Sequence, residues 1–230
     1  TTSTLPNVND HTTGTICLDK PNNTLYILTI ISGVKQWREL STNSGNFVLI
    51  KSQTDFDSFY TSGSRKLGLL SSGTYTLPAT LIPDITLISL SGAGVVLTTP
   101  TTFSINTAGE YIFSGVTISK AIAQATGTIY ADKTILSATL TISNALAKAF
   151  IGVNSEVHSF AISAGELQIF ESTIKNVGNT NSGGFVRIEQ AKFTGSGAGV
   201  LLTTSNASAL SIINSAVIYA LPSVGISTSA

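Results

Sequence analysis

The sequence predicts an all-β chain dominated by a parallel β-helix, or β-solenoid, with a small β-module ahead of it. Three observations carry this. From Ser71 to Leu97 the chain reads as a turn, two short strands with Ile85 and Leu87 alternating before Leu90, and a Gly-rich corner at Gly92 and Gly94. Short alternating strands broken every few residues by tight corners are the pattern of a solenoid. Charged residues make up only 10% of the 230 positions, against roughly 25% in ordinary globular chains. Finally, one template recurs downstream: apolar, any, apolar, two residues, small, any, apolar.

This composition also excludes function classes. Formal net charge is zero, so the chain presents no basic field for phosphate contacts and no nucleic-acid partner is expected. Its apolar runs, such as Leu25 to Ile31 interrupted by Thr29, fall short of the roughly 20 residues of a spanning helix, so no membrane insertion is expected. With no methionine and no signal peptide, the sequence is expected to be part of a longer translation product. Residues 1–66 hold 11 charged side chains and residues 67–230 only 13, which places a boundary near residue 66. The expected organisation is a β-module over 1–45, a linker with a short capping helix over 46–66, and the solenoid over 67–230.

Within the module, Thr15 to Leu18 and Thr24 to Ile31 read as strands joined through Lys20, Pro21, Asn22 and Asn23. Pro21 presets a turn and the two asparagines tolerate left-handed backbone angles. Ser32-Gly33 breaks the second strand, and Gln36, Trp37 and Arg38 form a third. A sheet this small is marginal without a neighbour. The pattern carried by Gly14, Thr15, Asp19, Asn22, Asn23, Leu25, Tyr26, Trp37 and Leu40 resembles a small repeat of bacteriophage tail-fibre proteins, over about 27 residues.

Next, Phe47 to Ile50 reads as a strand and Gln53 to Phe59 as one or two helical turns, with Thr54 or Asp55 as N-cap. A cap is required because the open end of a solenoid exposes apolar stacking surface. This segment, followed by Gly73, Thr74 and Tyr75, resembles the start of the pectate-lyase-like β-helices of phage tailspikes. That resemblance implies a right-handed parallel β-helix.

The template fits Tyr111, Phe113, Val116 and Ile118; Leu167, Ile169, Ser172 and Ile174; Val186, Ile188, Ala191 and Phe193; and Leu210, Ile212, Ser215 and Val217. Ile135, Ala138 and Leu140 read as a partial copy. Spacings of 19 and 24 residues between the last three full copies are solenoid-coil lengths. Stacked coils then give apolar ladders such as Ile174, Phe193 and Val217, with the small Ser172, Ala191 and Ser215 at a cramped corner. Val177 to Gly184 and Gly195 to Ala198 read as loops. Residues 141–160 break the register, and Ser143 to Phe150 reads as a short helix or an irregular corner. The rival architecture is a β-sandwich of hairpin-connected strands. The lack of two-residue Asn-Gly or Asp-Gly turns weighs against it.

Glycoside hydrolysis needs two carboxylates about 5–10 Å apart, and adjacent coils lie about 4.8 Å apart. In the template register Glu171 aligns with Gln190 and Asn214, Glu189 with Phe170 and Ile213, and Glu166 with Phe185 and Ala209, so no carboxylate stacks on another. A pectate-type lyase would need a calcium-binding carboxylate cluster beside an Arg or Lys base, but Arg187, the only Arg beyond residue 65, has Glu189 alone on its strand. Asp55 and Asp57 read as capping residues. His11 and His158, far apart, read as a surface and a loop histidine. Cys17 sits in an apolar alternation as a buried thiol. Ser91-Gly92-Ala93-Gly94, with no GK[ST] behind it, reads as a corner and not a phosphate loop. The sequence thus assigns no catalytic, cofactor-binding or metal-ligating residues. Tyr60, Tyr130 and Tyr219 are aromatics able to stack on sugar rings, with ordinary packing as the simpler explanation.

Together, the resemblances imply a structural or adhesive part of a phage fibre or tailspike, located on the virion and without catalysis in this segment. They also imply a homotrimer that meets other virion proteins and host-surface polysaccharide. The alternatives are a polysaccharide depolymerase of tailspike type, and a capsid decoration fibre or non-viral cell-surface adhesin.

Overall fold

Parallel pairing decides between solenoid and sandwich. A computed structural model describes residues 5–11, 15–19, 24–31, 34–39, 47–61, 66–90, 94–176, 178–194, 202–205, 208–217 and 226–229. Among these, antiparallel pairing is confined to one small N-terminal sheet. All other ladders are parallel and join successive coils of a β-solenoid of about seven turns.

The N-terminal sheet has three strands, β1 (Ile16–Asp19), β2 (Thr24–Ile31) and β3 (Val34–Glu39), in that order. The expected turns at Lys20 to Asn23 and Ser32-Gly33 lie outside the described residues. The parallel stack begins before residue 66: Phe47–Ile50 pairs with Lys66–Leu70. Between them stands one helix, α1 (Gln53–Thr61). Its N-cap is Ser52, and not Thr54 or Asp55. Ser52 Oγ accepts from the Asp55 amide at 3.1 Å, while an Asp55 carboxylate oxygen accepts from the Lys51 amide at 3.0 Å. This reciprocal exchange satisfies amides that a helix start leaves without partners. The Lys51 amide bond first, and then hydrogen bonding of the Ser52 hydroxyl to the carboxylate, hold the Asp55 carboxyl below its usual range. The helix buries Phe56, Phe59 and Tyr60 against the first coil, with the Phe56 ring 5.8 Å from that of Tyr75.

Nine strands stack on the first face of the solenoid. Their register makes two continuous inward columns. One runs Ile85, Tyr111, Ile129, Ala149, Leu167, Val186 and Leu210; the other runs Leu87, Phe113, Ala131, Ile151, Ile169, Ile188 and Ile212. All but Leu210 and Ile212 are fully buried, and each of the Val, Leu, Ile and Phe side chains among them contributes about 1.5–3 kcal/mol of apolar burial. A second sheet covers the other two sides. Its first side carries the expected ladder Ile174, Phe193 and Val217. Its second side stacks Ile105, Gln124, Ile142, Ile162, Asn181 and Thr204.

Three readings are corrected. Residues 141–160 do form coils: Lys148–Ile151 joins the first face and Glu156–Ile162 the second sheet. The template is filled there by Ala149, Ile151, Ser155 and Val157, with one extra residue at the corner. The neighbouring coil uses Ile129, Ala131, Thr134 and Leu136, whereas Ile135 faces out. Within the loop read over Val177 to Gly184, Asn179–Asn181 is a strand. Gly92 and the segment Gly195 to Ala198 lie outside the described residues.

Polar side chains enter the core through bonds that run between coils, although some buried polar atoms, Gln124 Oε1 among them, have no partner. Gln124 Nε2 donates to the carbonyls of Gly127 (2.9 Å) and Lys148 (2.8 Å). Asn181, in the same column, donates to Gly184 and Ala209 carbonyls at 3.1 Å each and accepts from the Gly184 amide at 2.9 Å. Each amide thereby ties one coil to the next at the corner leading back to the first face.

Candidate functional site

The corner from the first face to the second sheet repeats in six successive coils. Gly115, Lys133, Asn154, Glu171, Gln190 and Asn214 all take left-handed backbone angles there, with φ between 45° and 69°. The amides of Asn154, Glu171 and Gln190 each donate to a carbonyl of the following coil, at 2.9–3.0 Å. Such angles are strained for residues other than glycine. Because the strain recurs from coil to coil, it belongs to the fold and marks no single site. Behind the first five of these corner residues a small or branched side chain turns inward: Val116, Thr134, Ser155, Ser172 and Ala191, all buried. This is the placement expected for Ser172 and Ala191. Ser172 Oγ lies 2.5 Å from the Gly152 carbonyl and 2.7 Å from that of Phe170.

Beside this corner runs a groove of about 340 Å³, lined by Ile135, Asn154, Glu156, Glu171, Thr173, Gln190 and Lys192, with Ser155 and Ser172 behind. Its floor is the outward column of the second sheet, Ile135, Glu156, Thr173 and Lys192, in direct register. Its wall is the corner column Asn154, Glu171 and Gln190. Glu156 is paired with Lys175 at 3.0 Å. The groove therefore offers two carboxylates, an ammonium, two amides and a hydroxyl, spaced by the coil repeat of about 4.8 Å. That set can hydrogen-bond a polyhydroxylated ligand lying along the stack.

The groove brings together one residue the sequence reading weighed, Glu171, with several it missed. Glu156 went unseen because the extra corner residue hides its coil. The predicted alignments hold: Glu166 meets Phe185 and then Ala209, and Glu189 meets Phe170 and Ile213. Within the groove, though, Glu156 and Glu171 come from adjacent coils and face one space, a diagonal relation that same-position alignment does not detect.

The other weighed residues are engaged elsewhere. Glu166 accepts from Gln168 Nε2 and pairs with Lys148 at 3.4 Å. Arg187 bonds Glu189 at 2.7 Å. Asp57 accepts from Gln53 at 2.7 Å. His158 lies on a strand and not a loop, exposed and 3.4 Å from the Asn176 amide nitrogen. His11 is half-buried, its ring edge-on to Trp37 at 5.9 Å, and is not a plain surface residue. Cys17 is a free, half-buried thiol on β1. Tyr60 is buried under the cap, where its hydroxyl accepts from the Ile82 amide at 2.8 Å and donates to the Thr80 carbonyl at 3.1 Å. Burial raises the Tyr60 phenol pKa. Tyr130 stacks on Phe150. Tyr219 and the Ser91 to Ala93 segment lie outside the described residues. Among the described residues no three His, Cys, Asp or Glu side chains are grouped to hold a metal ion.

Compared with known proteins, the chain matches no family model and no curated protein.

Proposed function

We propose that this chain is a structural and adhesive segment of a bacteriophage fibre or tailspike, trimeric on the virion, that attaches to host-surface polysaccharide. The observation carrying this reading is the corner groove: a polar trough of about 340 Å³ on the outside of a stacked β-solenoid. Its carboxylate, amide, hydroxyl and ammonium groups repeat at coil spacing, which suits a chain of sugar rings better than a single compact metabolite. The sparse charge, 24 of 230 residues, supports lateral packing among identical chains. The tail-fibre and tailspike resemblances of the sequence supply the viral setting.

A second reading has one specific observation in its favour. Glu156 and Glu171 line the same groove from neighbouring coils, the kind of pairing that glycoside hydrolysis uses. A single experiment separates the two. Purified protein is incubated with host capsular polysaccharide, and both retention of polymer and release of reducing ends are measured. Attachment alone predicts retention without release, weakened by Gln190→Ala. Release abolished by both Glu156→Gln and Glu171→Gln would make the chain a depolymerase. Neither retention nor release, with polymer from the correct host, would refute both readings.

A further inference from the structure

We infer that the first face of the solenoid is the docking surface of the N-terminal sheet, and that Arg38 is the latch holding them together. Outward side chains in a solenoid strand ordinarily meet solvent. On this face Leu67, Ile88 and Ile112 point outward, pack with Leu69 and Tyr130, and are no more than 6% exposed. Burial of that depth on the outer side of a sheet marks a second covering layer.

Arg38 identifies the layer. From β3 it pairs with the Glu110 carboxylate, and its guanidinium carbon lies 3.7 Å from the centroid of the Tyr130 ring. Tyr130 in turn stacks on Phe150, with centroids 5.3 Å apart and planes 14° from parallel. Glu110 shares a strand with Ile112, and Tyr130 is the registered neighbour of Ile112 on the next coil. The guanidinium thus reaches diagonally across the buried column. At 12% side-chain exposure it combines an ion pair with a largely desolvated cation–π contact.

The sheet needs this surface. Among the described residues its three strands pair only with one another, and Leu28 is the one fully buried side chain described in it. A lone sheet of this size lacks a core. No backbone ladder joins it to the solenoid among the described residues, so the contact is made by side chains and is separable. The sheet is then a unit of lower local stability riding on a more stable stack. The chain's single tryptophan, Trp37, stands on β3 beside the latch, with Nε1 donating to the Pro6 carbonyl at 2.6 Å. Its emission therefore reports the sheet and not the solenoid.

Thermal unfolding of the full chain, followed by Trp37 emission and by far-ultraviolet circular dichroism, tests the latch. Arg38→Ala is expected to lower the emission midpoint by roughly 5 °C or more while the dichroism midpoint stays in place. Arg38→Lys, which keeps a charge for Glu110 without a planar group for Tyr130, should fall between. Tyr130→Leu should reproduce the emission shift from the solenoid side. An emission midpoint unmoved by Arg38→Ala, or emission and dichroism midpoints that fall together in that variant, overturns the inference.

Discussion

Asn181 shows how a polar residue can hold a core position that its neighbours fill with Ile142 and Ile162. Its amide makes three bonds, two to carbonyls and one to a backbone amide, across two coils. Asn181→Ala would leave those groups buried and unsatisfied, at roughly 1–3 kcal/mol for each one that water does not reach. Urea unfolding should show a loss of at least one such increment. Asn181→Gln, lengthened into the same corner, should lose part of it through overpacking. Tyr111 makes a different residue-scale prediction. Burial, with smaller contributions from Tyr60 and Asp84, pushes its phenol up to about 12 from an ordinary value of 10.0. The unfolded chain therefore releases this proton first. Stability is unaffected below about pH 10 and falls as pH rises from there toward 12. Burial raises Tyr60 and Tyr75 in the same direction. Unfolding curves taken across that range should steepen in their pH dependence for the wild type, and Tyr111→Phe should flatten them.

The capping helix carries the element-scale prediction. Phe56 is fully buried beneath α1, with the rings of Phe59, Tyr60 and Tyr75 around it. At Gly68, on the first face below, an added Cβ would fall 2.8 Å from Ile50 Cδ1 and 3.2 Å from the Phe59 ring. The helix therefore fills the end of the stack with no spare volume. Phe56→Ala should cost about 3–5 kcal/mol by chemical denaturation. It should also raise light scattering on standing, because it loosens the cover of an apolar stack end. Ser52→Ala, which removes only the N-cap, should cost about 0.5–2 kcal/mol without the scattering. The existence of this helix was legible from the sequence because apolar Phe56 and Phe59 recur at helical spacing behind capping residues. Its start at Gln53 was legible as well, but its N-cap was not, since Ser52, Thr54 and Asp55 are all chemically able to cap. The coils obey the same logic. Where both columns and the small corner residue are distinct, as in Leu167 to Ile174, register could be read to the residue. Where Ala131 and Thr134 blur the apolar signal, or one added corner residue shifts it after Ile151, the template failed and Glu156 was hidden with it. The second side of the later sheet was illegible for another reason. Gln124, Asn179 and Asn181 point inward there, and only their hydrogen bonds across coils make such burial tolerable.

At the scale of the whole molecule the question is what becomes of the apolar surface the fold leaves outside. Arg38 and β3 stand over part of the first face, at Glu110 and Tyr130. Farther along the same face, Phe185 and Ile213 remain exposed at 37% each. They lie on adjacent coils, with Arg187 and Glu189 already paired between them. A chain with so few charges has little repulsion to keep such patches apart. Three solenoids set side by side about an axis would bury one such edge per chain through heterologous contacts whose rotation closes, with no surface left to extend the array. Sedimentation at two concentrations should then give a species near three times the 23.8 kDa chain that does not change with dilution. Phe185→Asp, whose position points outward on the solenoid, should reduce that mass to a monomer while the far-ultraviolet spectrum stays the same. A wild-type protein that sediments as a monomer at both concentrations would sink the trimer and, with it, the fibre form of the proposed function. The groove of Glu156 and Glu171 would then have to act on a single solenoid, and the depolymerase reading would become the one to pursue.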